Sequence, residues 1–218
     1  MKKGFLITFE GGEGGGKTTQ IVQLRERLTQ AGKDVVVLRE PGGTMISEQI
    51  REVLLSTKNV GMAFTTEVLL FQAARAQIYR ELVLPSLAAG KVVLMDRSRD
   101  SSVVYQGMVR GFGIDLIDQL NGISTKNTYP DLTLLLDVEV EEGLDRRAAT
   151  DKMDRLDLEA KDFHEKVRKA YLELAQSEKK SKKTDSNRWV VIDANQSLEK
   201  VAEEVWQTVS GVLKIKAE

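Results

Sequence analysis

The chain has 218 residues, enough for one well-buried core, and nothing in that length forces a second domain. With 32 Lys+Arg against 33 Asp+Glu the formal net charge is −1, so no global field draws the protein to nucleic acid or to a membrane surface. There is no cysteine, which excludes a disulfide framework, a thiolate metal site and a catalytic thiol together.

The first apolar run, Phe5–Phe9, reads as a buried strand. Met1-Lys2-Lys3-Gly4 leads straight into it and is expected not to be a signal peptide, since cleavage would destroy the loop attached to that strand. The loop reads Gly11-Gly12-Glu13-Gly14-Gly15-Gly16-Lys17-Thr18-Thr19, with Gly11, Gly16, Lys17 and Thr18 at the fixed positions of G-x-x-x-x-G-K-[ST]. Glycines let a backbone fold so that its N–H groups face phosphate oxygens. Lys17 supplies a point charge, and the Thr18 hydroxyl can ligate Mg²⁺. A flexible turn would not need strand, loop, Lys-Thr and helix in that order. The pattern points to a nucleoside triphosphate without naming a reaction.

A helix starts near Lys17, with Ile21, Leu24 and Leu28 on one face and Gly32 to end it. A strand at Val35–Leu38 runs into Arg39-Glu-Pro-Gly-Gly-Thr44, and Ile46, Ile50, Val53 and Leu54 mark the next helix. A longer helix spans Glu67–Leu84 and ends near Pro85. Its consecutive Val68, Leu69, Leu70 and Phe71 fit either a deeply buried helix or one shared between the sheet and a second subunit or ligand. A strand at Val92–Met95 ends in Asp96-Arg97, an acid placed to hold Mg²⁺ through water beside a guanidinium fork for phosphate. A helix with Ile114, Ile117 and Leu120, a strand at Leu132–Leu136 and a helix with Val167, Tyr171 and Leu174 come next. The polar stretch from 178 to 186 reads as a solvated loop, having no aromatic for base stacking. A strand at Trp189–Ile192 and a helix at Leu198–Leu213 complete the chain. Continuous apolar strands alternating with helices predict a doubly wound α/β fold, a five-stranded parallel sheet flanked by helices, with ligands at the carboxyl ends of the strands. No apolar run approaches the roughly 20 residues of a membrane span, and the expected compartment is the cytoplasm.

The segments FEGGEGGGKTT, REPGGT, LLFQAAR, DRSRDSSVVYQG and YPDLTLLLDV together resemble bacterial thymidylate kinase, collinearly over nearly the whole chain. The resemblance implies one domain over 1–218 with a short lid at about 146–155, a homodimer, and transfer of the γ-phosphate of ATP to thymidine monophosphate with Mg²⁺. It implies that the loop from Gly11 to Thr19 holds the ATP phosphates and that Thr18 and Asp96 serve the metal. Glu13 would face the sugar 3′-hydroxyl, and Glu40, Arg51 and Arg97 would border or bind the acceptor phosphate. Phe71 would stack on thymine, Arg75 and Ser102 would bond the base edge with Gln106 nearby, and Tyr105 would crowd the 2′ position. Phe71 and Arg75 are four residues apart and so share a helix face.

An acceptor phosphate oxygen is already ionised, so no general base is required, and the lone His164 is expected on a helix surface. The obstacle is repulsion between anions, about 4 kcal/mol per unit pair at 4 Å and an effective dielectric of 20. Lys17, Arg97, Arg51, Mg²⁺ and a mobile lid cation must offset it. Here the chain departs from the family: Thr150 stands where a lid arginine is expected, Gly15 does not compensate, and Ser98 replaces an aromatic. Arg146, Arg147, Lys152 and Arg155 are the candidates. Arg147 is the first choice for the catalytic cation, Lys152 the second, and Arg146 is assigned to the adenine ring. A kinase for another deoxynucleotide and a P-loop ATPase switch are the competing readings.

Overall fold

The computed structural model describes residues 4–149, 153–178 and 188–215. Thr150, Lys152 and the segment 179–186 lie outside the described residues. Five strands, β1 (Phe5–Glu10), β2 (Val35–Arg39), β3 (Val92–Asp96), β4 (Leu132–Asp137) and β5 (Trp189–Asp193), form a parallel sheet in the order β2-β3-β1-β4-β5. The three central strands are buried on both faces, as their unbroken apolar runs predict. The edge strands are not: Val37 and Val191 are exposed, because each edge has a neighbour on one side only.

Helix α1 (Lys17–Gln30) buries Ile21, Leu24 and Leu28 against Ile7, Phe9 and the Val201, Val205 and Val209 stripe of α9 (Leu198–Val212). Gly32 comes just after α1 at φ 72°, the left-handed stop its position predicted. The opposite sheet face takes two clusters. Leu6, Val93 and Met95 pack with Ile78, Tyr79 and Val83, while Leu135 and Trp189 pack with Val68, Tyr105 and Tyr171. The remaining helices are α2 (Met45–Leu55), α3 (Phe64–Ile78), α4 (Leu84–Ala88), α5 (Arg99–Ser102), α6 (Ile114–Thr125), α7 (Val140–Ala148) and α8 (Lys161–Glu178).

Two expectations need correction, and one stretch without an expectation takes a definite form. The long helix neither starts at Glu67 nor stops before Pro85. It runs from Phe64 through a wide π turn at Tyr79–Val83 into α4, and the Leu84 N–H reaches back to Tyr79 O, so the proline ring enters a widened turn. Residues 99–109, unassigned from the sequence, are helical: α5 continues into a π-helical Val103–Val109. His164 is buried, its ring edge-on to Phe163 with centroids 5.6 Å apart; α8 turns that face inward because Phe163 and Val167 beside it are core.

Candidate active site

Each strand delivers its site residue at the carboxyl end. Parallel register sets Phe9 and Arg39 beside Asp96, so the phosphate loop, the Arg39–Thr44 loop and the Asp96-Arg97 turn open on one edge. Gly11, Gly14 and Gly16 have positive φ, which permits the loop's reversal. Gly14 also meets α7 backbone to backbone. A Cβ there would fall 1.9 Å from Gly143 O, and one on Gly143 would fall 2.4 Å from Glu13 O.

Lys17 Nζ donates to Gly12 O at 2.7 Å and Gly11 O at 3.3 Å. Burial, aided by the charge of Arg97, brings its ammonium down to about 8. Thr18 Oγ1 donates to Asp96 Oδ2 at 2.7 Å, which joins the two oxygen groups assigned to a metal. Among the described residues no cluster of three or more His, Cys, Asp or Glu is grouped to hold an ion. An oxygen pair still fits Mg²⁺, which keeps several waters and takes substrate oxygens as ligands.

Arg97 adopts φ 63°, a strained backbone for a non-glycine residue. Its N–H donates to Phe9 O at 2.9 Å, its Nη1 to Gly11 O at 2.9 Å, and its Nη2 to Glu13 Oε1 at 2.6 Å. The Tyr105 hydroxyl donates to the same Glu13 oxygen at 3.1 Å. Burial alone would raise the Glu13 carboxyl. The charges of Arg97 and Lys17 and the Tyr105 hydroxyl outweigh it and hold the group at about 2. Between pH 4.5 and 2 the unfolded chain therefore binds a proton that the folded chain refuses, and stability falls with pH. In urea melts across this window, the stability advantage of wild type over Glu13→Gln is full above pH 4.5 and shrinks toward pH 2. A gap that stays constant refutes the pairing.

Behind Arg97 lies a group the sequence did not announce. Glu10 accepts from Ser98 N at 2.8 Å, Ser101 Oγ at 2.5 Å and the Tyr171 hydroxyl at 2.8 Å. Burial, then the nearby Asp100, pushes its carboxyl up to about 7. Tyr171 in turn accepts from Arg97 Nη1 at 3.2 Å.

At the other end, Arg75 is fully buried. Its Nε donates to Glu40 Oε2 at 2.7 Å, Nη1 to Ser102 Oγ and Asn121 Oδ1 at 2.9 Å each, and Nη2 to Ser98 O at 3.0 Å. Burial raises the Glu40 carboxyl and the Arg75 guanidinium opposes that shift. Phe71, one turn earlier, is half-buried and belongs to no core cluster. Arg51 Nη1 donates to Pro41 O at 2.7 Å.

One cleft of about 660 Å³ joins these groups: Lys17 and Thr18 at one end, Phe71, Arg75, Ser102 and Gln106 at the other, Asp96, Arg97, Glu13 and Tyr105 between them. Arg146 and Arg147 line it too, inside α7 rather than on a loop. Arg147 Nε and Nη2 grip Asp157, with contacts of 2.6 and 3.0 Å to Oδ2. Arg146 Nη1 donates to Ala194 O at 3.1 Å. Arg155 is not in the cleft; it is buried against Leu54 O and Glu67, which removes it from the lid candidates. Ala194 and Gln196 also wall the cleft and escaped the sequence reading. Their only signal is position, just beyond a strand's carboxyl end.

A phosphate loop and an aromatic-guanidinium pocket sharing one cleft, on a parallel sheet of this order, define a P-loop kinase of the nucleoside monophosphate type. The profile of the family described as Thymidylate kinase matches residues 9–205, and the chain belongs to that family. It is similar to a solved structure of thymidylate kinase from Ehrlichia chaffeensis, with 32% sequence identity over 95% of this chain and 99% of that one, at a TM-score of 0.74. The chain is an enzyme, a kinase that phosphorylates thymidine monophosphate.

Proposed function

We propose a division of labour for transfer of the γ-phosphoryl group of ATP to thymidine 5′-monophosphate, which yields the diphosphate for dTTP synthesis. The amides from Gly11 to Thr19 and Lys17 hold the donor phosphates, with Arg146, Ala194 and Gln196 around the adenine. Arg97 and Arg51 take the acceptor phosphate, with Glu40 at its border. Glu13 faces the 3′-hydroxyl, and Tyr105 crowds the 2′ position so that deoxyribose is preferred. Phe71 stacks on the base, while Arg75, Ser102 and Gln106 read its edge. Thr18 and, through water, Asp96 would hold Mg²⁺, which supplies charge neutralisation on the phosphates when bound. The acceptor oxygen arrives ionised, so the protein's contribution is alignment and cationic stabilisation of charge in transfer.

The observation that carries this reading is the continuity of the cleft from Lys17 to Phe71 and Arg75. A coupled assay of ADP release with a panel of monophosphates tests it. Fast turnover with dTMP and almost none without an acceptor is expected. Slow ATP hydrolysis indifferent to every monophosphate replaces the reading with a nucleotide switch, and preference for another base replaces the acceptor.

The chain is read as one domain whose lid, at about 146–155, closes over ATP, excludes water and completes the site. Arg147 is its catalytic cation: it lines the cleft, and its planar fork can exchange Asp157 for phosphate oxygens. Arg147→Ala should lower kcat by about 10²-fold, the scale of losing one stabilising donor. Calorimetry should find dTMP affinity nearly unchanged. Normal turnover would shift the role to Lys152. The enzyme works as a homodimer in the cytoplasm. Exposed Leu69 on α3 and Leu116 and Ile123 on α6, two helices packed together, offer an apolar face to a second copy. Among the described residues no helix is long and apolar enough to cross a membrane.

A further inference from the structure

Glu67 belongs to none of the sequence motifs read as catalytic or binding, yet it is fully buried one turn before Phe71 and two turns before Arg75. The three share a stripe of α3, because residues four apart stack on one helix face. Glu67 Oε2 accepts from Arg155 Nη2 at 2.7 Å, and Arg110 Nε lies 3.6 Å from Oε1. Arg155 is itself fixed by a bond from Nε to Leu54 O at 2.9 Å. A carboxyl group facing two guanidinium groups is paired as the carboxylate, and a carboxylate only accepts hydrogen bonds.

That restriction reaches the cleft through Gln106. Gln106 Nε2 donates to Glu67 Oε1 at 2.9 Å. A carboxamide has one donor end and one acceptor end. If Glu67 takes the donor end, the acceptor Oε1 is turned away from Glu67, toward the cleft that Gln106 lines. Among the described residues none donates to that oxygen. Arg75 supplies the opposite character. Four of its five N–H groups are engaged by Glu40, Ser102, Asn121 and Ser98, and one on Nη2 remains. The Ser102 hydroxyl rotates and can serve either sign. The base end of the cleft therefore presents one fixed donor and one fixed acceptor.

We propose that Glu67 is a positioning residue that sets base specificity by holding the Gln106 carboxamide with its oxygen toward the base. The inference rests on the assignment of thymidine monophosphate to this end of the cleft. Thymine offers a carbonyl at position 4 and an N–H at position 3, which complement Arg75 and Gln106 Oε1. Cytosine offers an amine and a bare nitrogen, the inverted pair, and meets donor with donor and acceptor with acceptor. Glu67 discriminates between them without touching either, since a neutral neighbour in its place would let the amide flip.

The test is kcat/KM for dTMP and dCMP at saturating ATP in wild type, Glu67→Gln, Gln106→Leu and the double variant. In Glu67→Gln the dCMP/dTMP ratio should rise at least about tenfold, the scale of one mispaired hydrogen-bonding group, with KM for ATP unchanged. With Leu at 106 there is no amide to turn, so adding Glu67→Gln should leave the ratio where Gln106→Leu put it. Because Glu67→Gln leaves Arg155 facing a neutral group, Glu67→Gln with Arg155→Gln removes both charges and serves if the single variant does not fold. An unshifted ratio in the folded variant, or the same shift with and without Gln106, overturns the assignment and leaves the acceptor itself standing. A wild-type enzyme that shows no preference for dTMP overturns both.

Discussion

Lys17→Ala lowers kcat for phosphoryl transfer by about 10²–10³-fold, the cost of removing one preorganised stabilising group, while the protein stays folded. The two outcomes separate because of what the side chain touches. Its ammonium donates to Gly11 O and Gly12 O, two loop carbonyls, and after truncation Glu13 keeps its ion pair with Arg97. On the proposed division of labour, what is lost is a cation that meets negative charge moving from donor to acceptor, an interaction made in the transition state rather than with the bound substrate alone. The measurement is steady-state turnover beside a thermal melt. Lys17→Arg should not rescue, since a planar fork cannot occupy the place of a compact ammonium against the loop. Near-normal turnover in folded Lys17→Ala would remove the phosphate-loop assignment.

Arg75→Ala has the opposite profile, a large loss of stability along with the loss of base reading. Arg75 and Glu40 form an ion pair at 2.7 Å with both side chains almost wholly buried. Among the described residues, removing the arginine leaves the Glu40 carboxylate with the Ser98 hydroxyl alone, and breaking such a pair costs about 3–5 kcal/mol. For a chain of this size that lowers Tm by roughly 10 °C. The diagnostic is the second substitution. Arg75→Ala combined with Glu40→Leu should recover part of the loss, because the uncompensated carboxylate is gone, while dTMP binding stays abolished. If Arg75→Ala melts like wild type, the pair is not the strut that holds the Arg39–Thr44 loop against α3.

The sequence located all five strands, and its one systematic error is informative. Each predicted strand ends one residue early, and the residue left out is Glu10, Arg39, Asp96, Asp137 or Asp193. Apolar periodicity stops at the last side chain buried in the core. The backbone ladder needs no apolar side chain and runs one residue further, to the edge where charge is wanted. Lys17 and Arg97 were legible because the phosphate-loop motif and a strand's end put them at that edge, whereas Phe71 and Arg75, inside α3, were legible through the family resemblance and their shared helix face. Glu10, Glu67 and Asn121 were not, since a lone polar residue in an apolar element carries no spacing signal until distant elements supply its partners. His164 shows the reverse: one polar residue in a helix whose inward face only the packed structure reveals. Residues 99–109 were missed as helix because Ser and β-branched Val are weak helix formers, and tertiary contacts override that preference.

The contact between Gly14 and Gly143 bears on how the proposed lid could be exchanged between relatives. The two backbones approach so closely that neither position admits even a methyl group without displacing a carbonyl. The first turn of α7 and the phosphate loop are thus registered to each other like a key in its slot, and any hinge must lie beyond Gly143. A chimera whose crossover falls before residue 143 imports a foreign seat for the loop together with the foreign lid. A crossover after it exchanges the cations alone. Gly143→Ala would disturb ATP binding from a helix that carries no phosphate ligand at that position, and a donor-site defect with an intact acceptor site would be its signature.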